Sequence, residues 1–230
     1  MSDVKRIPIV AIDGPGGSGK GTIGRRVARQ LGWKFLDSGA LYRLVGICAI
    51  QRGIALDDAP QLAALAAKLD ATFEVEADGM HVEHIVLEGR EVTQDVRTEQ
   101  AGDAASRVAV LAPVRQALLE WQHAFRAAPG LVADGRDMGT VVFPDADLKV
   151  FLTATAEERA RRRYQQLKNT GLDVTLAAIL VDIQNRDARD ASRLVAPLVP
   201  AADAVIVDST GLNVEEVEAK IMALIRKQLQ

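Results

Sequence analysis

The sequence predicts an α/β fold, a parallel β-sheet core covered by helices, and three observations carry that expectation. Apolar runs of strand length alternate with helix-length amphipathic stretches from Ile7 to Leu229, which is the pattern of successive βα units. A glycine-rich turn from Gly14 to Gly19 stands between the first apolar run and the first helix, where doubly wound sheets place their loops. One stretch, Thr72 to Leu87, changes to period two, so a small antiparallel sheet interrupts the βα chain.

The elements follow in order. Ile7–Asp13 reads as a strand, and Thr22–Leu31 as a helix closed by Gly32, because glycine favours the left-handed position after a helix end. Trp33–Leu36 is a short strand and Ala40–Gln51 a helix. Asp57 or Asp58 caps the next helix, which carries Pro60 in its first turn and runs to Leu69. Both placements suit a helix start. Thr72–Glu76 and Met80–Glu83 alternate around the turn signal Asp78-Gly79, and Ile85–Leu87 is a third strand, so a hairpin is expected there. Helices resume at Thr98–Val110 and Pro113–Ala128. Leu131–Ala133 and Leu148–Leu152 are further strands, followed by the charged helix Ala156–Leu167, which stops near Asn169-Thr170-Gly171. Leu176–Arg189 is helical, Ala204–Val207 a strand, and Val214–Leu229 a closing amphipathic helix. The interruption, about Leu65 to Asp103, is read as an insert in a core of residues 1–64 and 104–230.

Composition bounds the function. A chain of 230 residues with 48% hydrophobic and 26% charged residues is an ordinary globular protein, long enough for a substantial core. The net charge of −3 argues against a nucleic-acid polymer as partner, which calls for a basic excess. The single cysteine, Cys48, lies in the apolar stretch Leu44–Ile50 and reads as packing. Met1–Arg6 is short and polar, and no run approaches membrane-spanning length, so a cytoplasmic protein without membrane contact is expected. No long exposed apolar stripe is evident, and a monomer is expected.

The chemistry begins at Gly14-Pro15-Gly16-Gly17-Ser18-Gly19-Lys20-Gly21-Thr22. Glycines let a backbone fold tightly enough to point several N–H groups at a polyphosphate. Lys20 supplies a cation for the β and γ oxygens, and the helix behind it presents its positive end. The spacing fits a phosphate-binding loop, except that Gly21 stands where Ser or Thr is usual and the hydroxyl follows at Thr22. A bare glycine turn with a stray lysine is the alternative, and the strand before and helix after weigh against it.

Four further polar clusters fall at strand ends or on helices that could line the same crevice. Ser38, Tyr42 and Arg43 lie within one helical turn of each other after a strand, although Asp37-Ser38-Gly39 is also a plain turn and cap. Asp134-Gly135-Arg136-Asp137 follows a core strand and either binds something or closes on itself as a salt-bridged turn. Arg159, Arg161, Arg162 and Arg163 follow Glu157 and Glu158. They read either as a solvated helix face or as arginines closing over a phosphoryl group. Arg186, Asp190 and Arg193 share one face if the helix continues that far, and two guanidiniums around a carboxylate suit a sugar hydroxyl beside a phosphate.

GPGGSGKGT, DSGALYR, VADGRDMGTVVFPDAD, EERARRR, RDARDASR and APLVPAADAVIVDST together resemble the bacterial cytidylate kinase family, nucleoside monophosphate kinases with a P-loop. The resemblance runs from the first strand to the last. DGRDMGTVVFPDA and APLVPAADA are specific to that family, whereas the P-loop is shared with adenylate and other kinases.

The resemblance implies a P-loop kinase with a monophosphate-binding insert at 65–103 and a short helical lid at about 157–174. It implies transfer of the γ-phosphoryl group of ATP to CMP or dCMP, with Mg2+ bridging donor oxygens near Thr22. Residues 14–22 would hold ATP, and Lys20, Arg136, Arg159 and Arg162 would serve the transfer, the last two from the lid. Ser38, Arg43, Arg136 and Arg193 would surround the CMP phosphate, with Tyr42 beside them. Ser106, Arg115 and Asp137 would hold the cytosine edge, and Arg186 and Asp190 the ribose hydroxyls. A kinase for another acceptor such as UMP or AMP stays open, as does a switch protein that hydrolyses its nucleotide. Gly21 and the arginine inventory speak against the switch.

Overall fold

The computed structural model describes residues 6–75, 82–169 and 174–229. In chain order the elements are β1 (Ile9–Asp13), α1 (Lys20–Leu31), β2 (Lys34–Asp37), α2 (Ser38–Gln51) and α3 (Ala59–Ala67). Then come β3 (Ala71–Val75), β4 (Val82–Leu87), β5 (Arg90–Glu91), α4 (Glu99–Val108) and α5 (Ala112–His123). The rest is β6 (Leu131–Gly135), β7 (Leu148–Thr153), α6 (Ala156–Asn169), α7 (Leu176–Ala191), β8 (Val205–Asp208) and α8 (Val214–Leu229).

Five strands form one sheet in the order β2-β6-β1-β7-β8, and every pairing in it is parallel. β1 lies in the middle, in register with Gly135 of β6 and Phe151 of β7 at its last residue, Asp13. The carboxyl ends of the strands therefore collect on one rim, the place where such sheets hold ligands.

Strand periodicity divides the core. Ile9 and Ala11 face a cluster that includes Leu41, Leu44, Val114 and Leu118 of α2 and α5. Val10 and Ile12 face the other side, against Ile23 and Val27 of α1 and Val217, Ile221 and Ile225 of α8. Each such side chain, fully buried, is worth about 1.5–3 kcal/mol. α2 is apolar nearly all round and is buried from Leu44 to Ala49, as a helix enclosed by other helices must be. Its Gly46 admits α4 closely, since a Cβ there would stand 2.7 Å from the Ala104 Cβ.

β3, β4 and β5 form the separate antiparallel sheet. Its Phe73 meets Trp121 and Phe125 edge-on, at 5.8 and 6.2 Å between ring centroids, and Ile85, Leu87 and Val92 belong to the cluster under β1. The insert thus shares the main core. Met80 and His81 lie outside the described residues, and from Val82 to Leu87 one unbroken strand, β4, runs through the ends read above as Met80–Glu83 and Ile85–Leu87. Its alternation holds through exposed His84 to buried Ile85 and Leu87. The third strand is Arg90–Glu91, entered through Glu88 and Gly89, both at positive φ, a tight hairpin turn. The expected turn at Asp78-Gly79 and the stop at Thr170-Gly171 lie outside the described residues. α5 ends at His123, five residues before the expected Ala128, as Phe125 turns back onto Phe73 and Trp121. No helix among the described residues is long and apolar enough to cross a membrane.

Candidate functional site

The glycine-rich loop leaves β1 at Asp13 and closes on α1. Gly14 has φ 147° and packs so tightly that a Cβ would lie 2.0 Å from the Leu152 carbonyl oxygen, so only glycine fits there. Lys20 begins α1 and folds back beneath the loop, its Nζ donating to the Pro15 carbonyl at 2.8 Å. Asp134, at the end of β6, stands 4.0 Å from the same nitrogen.

Beside the loop opens a cleft of ≈ 430 Å³ lined by Ser38, Tyr42, Ser106, Arg115, Arg136, Asp137, Arg186, Asp190 and Arg193. The sequence reading brought all nine forward from five different elements. Arg115 of α5 forms a short ion pair with Asp137 on the cleft floor, both fully enclosed, and its guanidinium lies 5.7 Å from the Tyr42 ring centroid. Ser106 Oγ is buried there without a hydrogen-bond partner among the described residues. Asp190 accepts from Arg136 Nε at 3.0 Å and forms a short ion pair with Arg193.

Arginines gather where the cleft meets the loop. A Cβ on Gly16 would lie 3.4 Å from Arg136 Nη2 and 3.7 Å from Arg186 Nε. Arg186 Nη1 and Arg43 Nη2 both reach the Gly102 position, at 3.5 and 3.2 Å from a Cβ there. Arg186 Nε is buried and has no hydrogen-bond partner among the described residues. Guanidiniums crowded this way form a ready site for an anion.

The comparisons with known proteins agree with this geometry. The cytidylate kinase family matches residues 10–227. Curated cytidylate kinases from Pseudomonas aeruginosa and Stutzerimonas stutzeri are 58% and 57% identical over 222 and 220 residues, covering 96% of this chain and 96% of each relative. The chain belongs to the cytidylate kinase family. Family and site together make it an ATP-dependent phosphotransferase. An uncharacterized protein from Eubacterium ventriosum, 12% identical with TM-score 0.51 over 97% of this chain and 99% of that one, shares the fold.

Electrostatics distinguish the two halves of this kinase's site. Burial, reinforced by Arg136 and opposed by Asp134 and Asp13, lowers the Lys20 ammonium to about 7. Burial likewise pushes the carboxyls of Asp13 and Asp134 up to about 6. In the cleft, burial would raise Asp190, but Arg136 and Arg193 hold it below the ordinary carboxylate range. Burial, Arg136 and Arg43 together bring the Arg186 guanidinium down to about 10.

Some predicted residues stand differently from the pattern the sequence suggests. The guanidiniums around Asp190 are Arg136 and Arg193, not Arg186 and Arg193, because α7 ends at Ala191 and Arg193 turns back from the following loop. Arg136 pairs across the cleft, so the Asp134–Asp137 turn is not closed by its own salt bridge. Arg43 lies outside the cleft wall and donates to the carbonyls of Val96 and Thr98 at 2.8 and 3.0 Å. Arg159 is buried, bidentate to Asp187 at 3.0 and 2.6 Å, and donates to the Gly16 carbonyl at 3.1 Å. Arg162 holds the Ser209 carbonyl at 2.6 Å and reaches the Ser18 carbonyl at 3.4 Å. Arg161 pairs with Glu158 on an exposed face.

Three supporting residues escaped the sequence reading. Gln122 is buried and accepts from Ser38 Oγ at 2.9 Å. Ser209 bridges Thr153 and the loop, and Asp187 anchors Arg159. Only Asp187 carried a signal, as the remaining acid in the run Arg186 to Arg189.

Proposed function

We propose that the cleft binds CMP or dCMP and that its phosphate receives the γ-phosphoryl group of ATP held by residues 14–22, giving ADP with CDP or dCDP. The observation that carries this reading is the convergence of Arg136 and Arg186 at Gly16, where the cleft meets the loop, with Arg43 beside Arg186 at Gly102. It is an anion site shared by donor and acceptor.

In this reading an oxygen of the CMP phosphate attacks the γ-phosphorus in line while the bond to the β-phosphate oxygen breaks. That oxygen is already ionised at neutral pH, so no general base is required, and catalysis is positioning with charge neutralisation. Lys20 leaves the Pro15 carbonyl for the β and γ oxygens. Arg159 and Arg162, on the lid at about 157–174, hold the loop and the transferring group. Ser38 turns its proton from Gln122 toward the CMP phosphate, with Arg43, Arg136 and Arg193 around it. Arg186 and Asp190 take the ribose hydroxyls. Residues 65–103 form the monophosphate-binding insert. The metal expected with ATP fits the donor set. Gly21 offers no hydroxyl, while Thr22 is exposed on the first turn of α1 and would hold Mg2+ through a hard oxygen. When bound, that ion supplies charge neutralisation at the donor phosphates. The same reading takes the protein to be a monomer, and both substrates are cytoplasmic metabolites.

Base choice follows from the floor of the cleft. Cytosine offers an exocyclic amine donor beside the N3 acceptor, and Asp137 and Arg115 match that pair. Uracil reverses both groups and leaves charged side chains facing like partners, at a cost of several kcal/mol, roughly the scale of unpaired buried polar groups. Comparing kcat/KM for CMP and UMP in Asp137→Ala tests this. A collapsed CMP preference is expected, and an intact one places base recognition elsewhere.

A further inference from the structure

Asp13 belongs to neither set of substrate contacts, yet it touches the structure behind both. It is the last residue of β1, and the chain leaving it is fixed by the close fit of Gly14 against Leu152. Its side chain crosses to the segment after β6. Oδ1 accepts from the Met138 N–H at 2.8 Å and Oδ2 from the Gly139 N–H at 2.8 Å, although 125 and 126 residues separate the partners.

Those N–H groups open the helical turn Met138–Val142, which directly follows Asp137. The turn is wide, since Val142 and Phe143 donate five residues back, to the carbonyls of Asp137 and Met138, at 3.1 and 2.6 Å. A helical turn ordinarily takes its cap from the residue just before it, and aspartate is among the best at that task. Asp137 occupies that place and makes no cap bond. Its carboxylate pairs with Arg115 instead.

We propose that Asp13 is a positioning residue for acceptor recognition: by capping the Met138 turn from the phosphate loop's own strand, it keeps Asp137 free to read the base. The proposal rests on the reading of Asp137 and Arg115 given above. Without the remote cap, Asp137 can fold back onto the free N–H groups of its own turn and desert Arg115. The same two bonds tie the base-reading segment to the first residue of the donor loop, so the two sites keep one spacing.

The test compares CMP and UMP kinetics in Asp13→Asn, with Asp137→Ala as reference. Asparagine keeps one acceptor and turns an amide donor toward the other N–H, at little cost in volume. It also removes a charge that burial disfavours, so the variant is expected to fold. The ratio of kcat/KM for CMP over UMP should fall about tenfold, the scale of one charge-assisted hydrogen bond. The KM for ATP should stay within about twofold, since a change confined to acceptor binding leaves donor binding in place. Should Asp13→Asn fail to fold, Asp13→Ser, which takes away one of the two cap acceptors with a smaller side chain, carries the same expectation. A fall in kcat with the CMP-to-UMP ratio intact, while Asp137→Ala relaxes that ratio, overturns the role of Asp13 alone. An unchanged ratio in Asp137→Ala itself overturns the cytosine reading, and the role of Asp13 with it.

Discussion

The acceptor cleft and the donor loop use buried charge in opposite ways. In the cleft, the carboxylates are mated to guanidiniums, Asp137 with Arg115 and Asp190 with Arg136 and Arg193, while Arg186 Nε stays unpaired among the described residues. At the loop, Lys20 has a backbone carbonyl as its near partner and a carboxylate only at 4.0 Å. Burial there lowers the ammonium to about 7 and raises Asp13 and Asp134 to about 6. A mated cleft is organised to select by shape and donor pattern. An unmated cation waits for charge, and a polyphosphate supplies it. In the proposed reading, discrimination belongs to the cleft and turnover to the loop.

Removing the waiting cation should have the largest effect. Lys20→Ala is expected to lower kcat by about 10²-fold or more, the scale for deleting one preorganised electrostatic contact, while circular dichroism stays native. Near-normal turnover in the folded variant breaks the assignment of the loop to ATP.

Within the cleft, sugar and phosphate contacts should separate. Asp190→Ala should alter the ratio of kcat/KM between CMP and dCMP, because only CMP carries a 2′-hydroxyl. Arg193→Ala should weaken both alike, by about ten- to a hundredfold for a charge-assisted contact of roughly 1.5–3 kcal/mol. Because Asp190 also pairs with Arg136, its loss should lower turnover of both nucleotides as well. Small, equal effects of both substitutions would reduce this cluster to a structural ion pair.

The smallest effect is on stability, at the boundary between the two regions. Burial lifts the Asp13 carboxyl from 3.8 to about 6 against the pull of the Gly139 and Met138 N–H groups. With the folded value raised, the protonated form stabilises the fold below about pH 4, and that contribution is lost as pH climbs through 6. The unfolding free energy of the wild type minus that of Asp13→Asn should decline between pH 4 and pH 7. A flat difference in urea titrations across that range contradicts the burial cost assigned to this carboxylate.

The parts of this molecule visible in the sequence are those fixed by local rules. β1, the loop and α1 were legible because strand periodicity, glycine placement and helix capping all act within a few residues. The Met138–Val142 turn was not, because its cap comes from Asp13, 125 residues away, and five-residue-back hydrogen bonds leave no periodic trace. The strand boundary drawn at His84 was misplaced because the alternation of β4 does not break there. In the cleft, residue types were readable but their partners were not. Asp190 and Arg193 lie within one short run, whereas Arg136, which completes their cluster, arrives from another strand end through the sheet order. Gln122 is an ordinary helix residue in sequence and becomes informative only when α5 brings it to Ser38.

The division of labour between loop and cleft is tested most directly by ADP release from ATP, measured alone and with CMP, UMP or AMP. Release should depend on added CMP, with kcat/KM for CMP well above that for UMP and AMP. Steady ADP release without an acceptor, or equal rates with UMP or AMP, would contradict a cleft that selects for the loop.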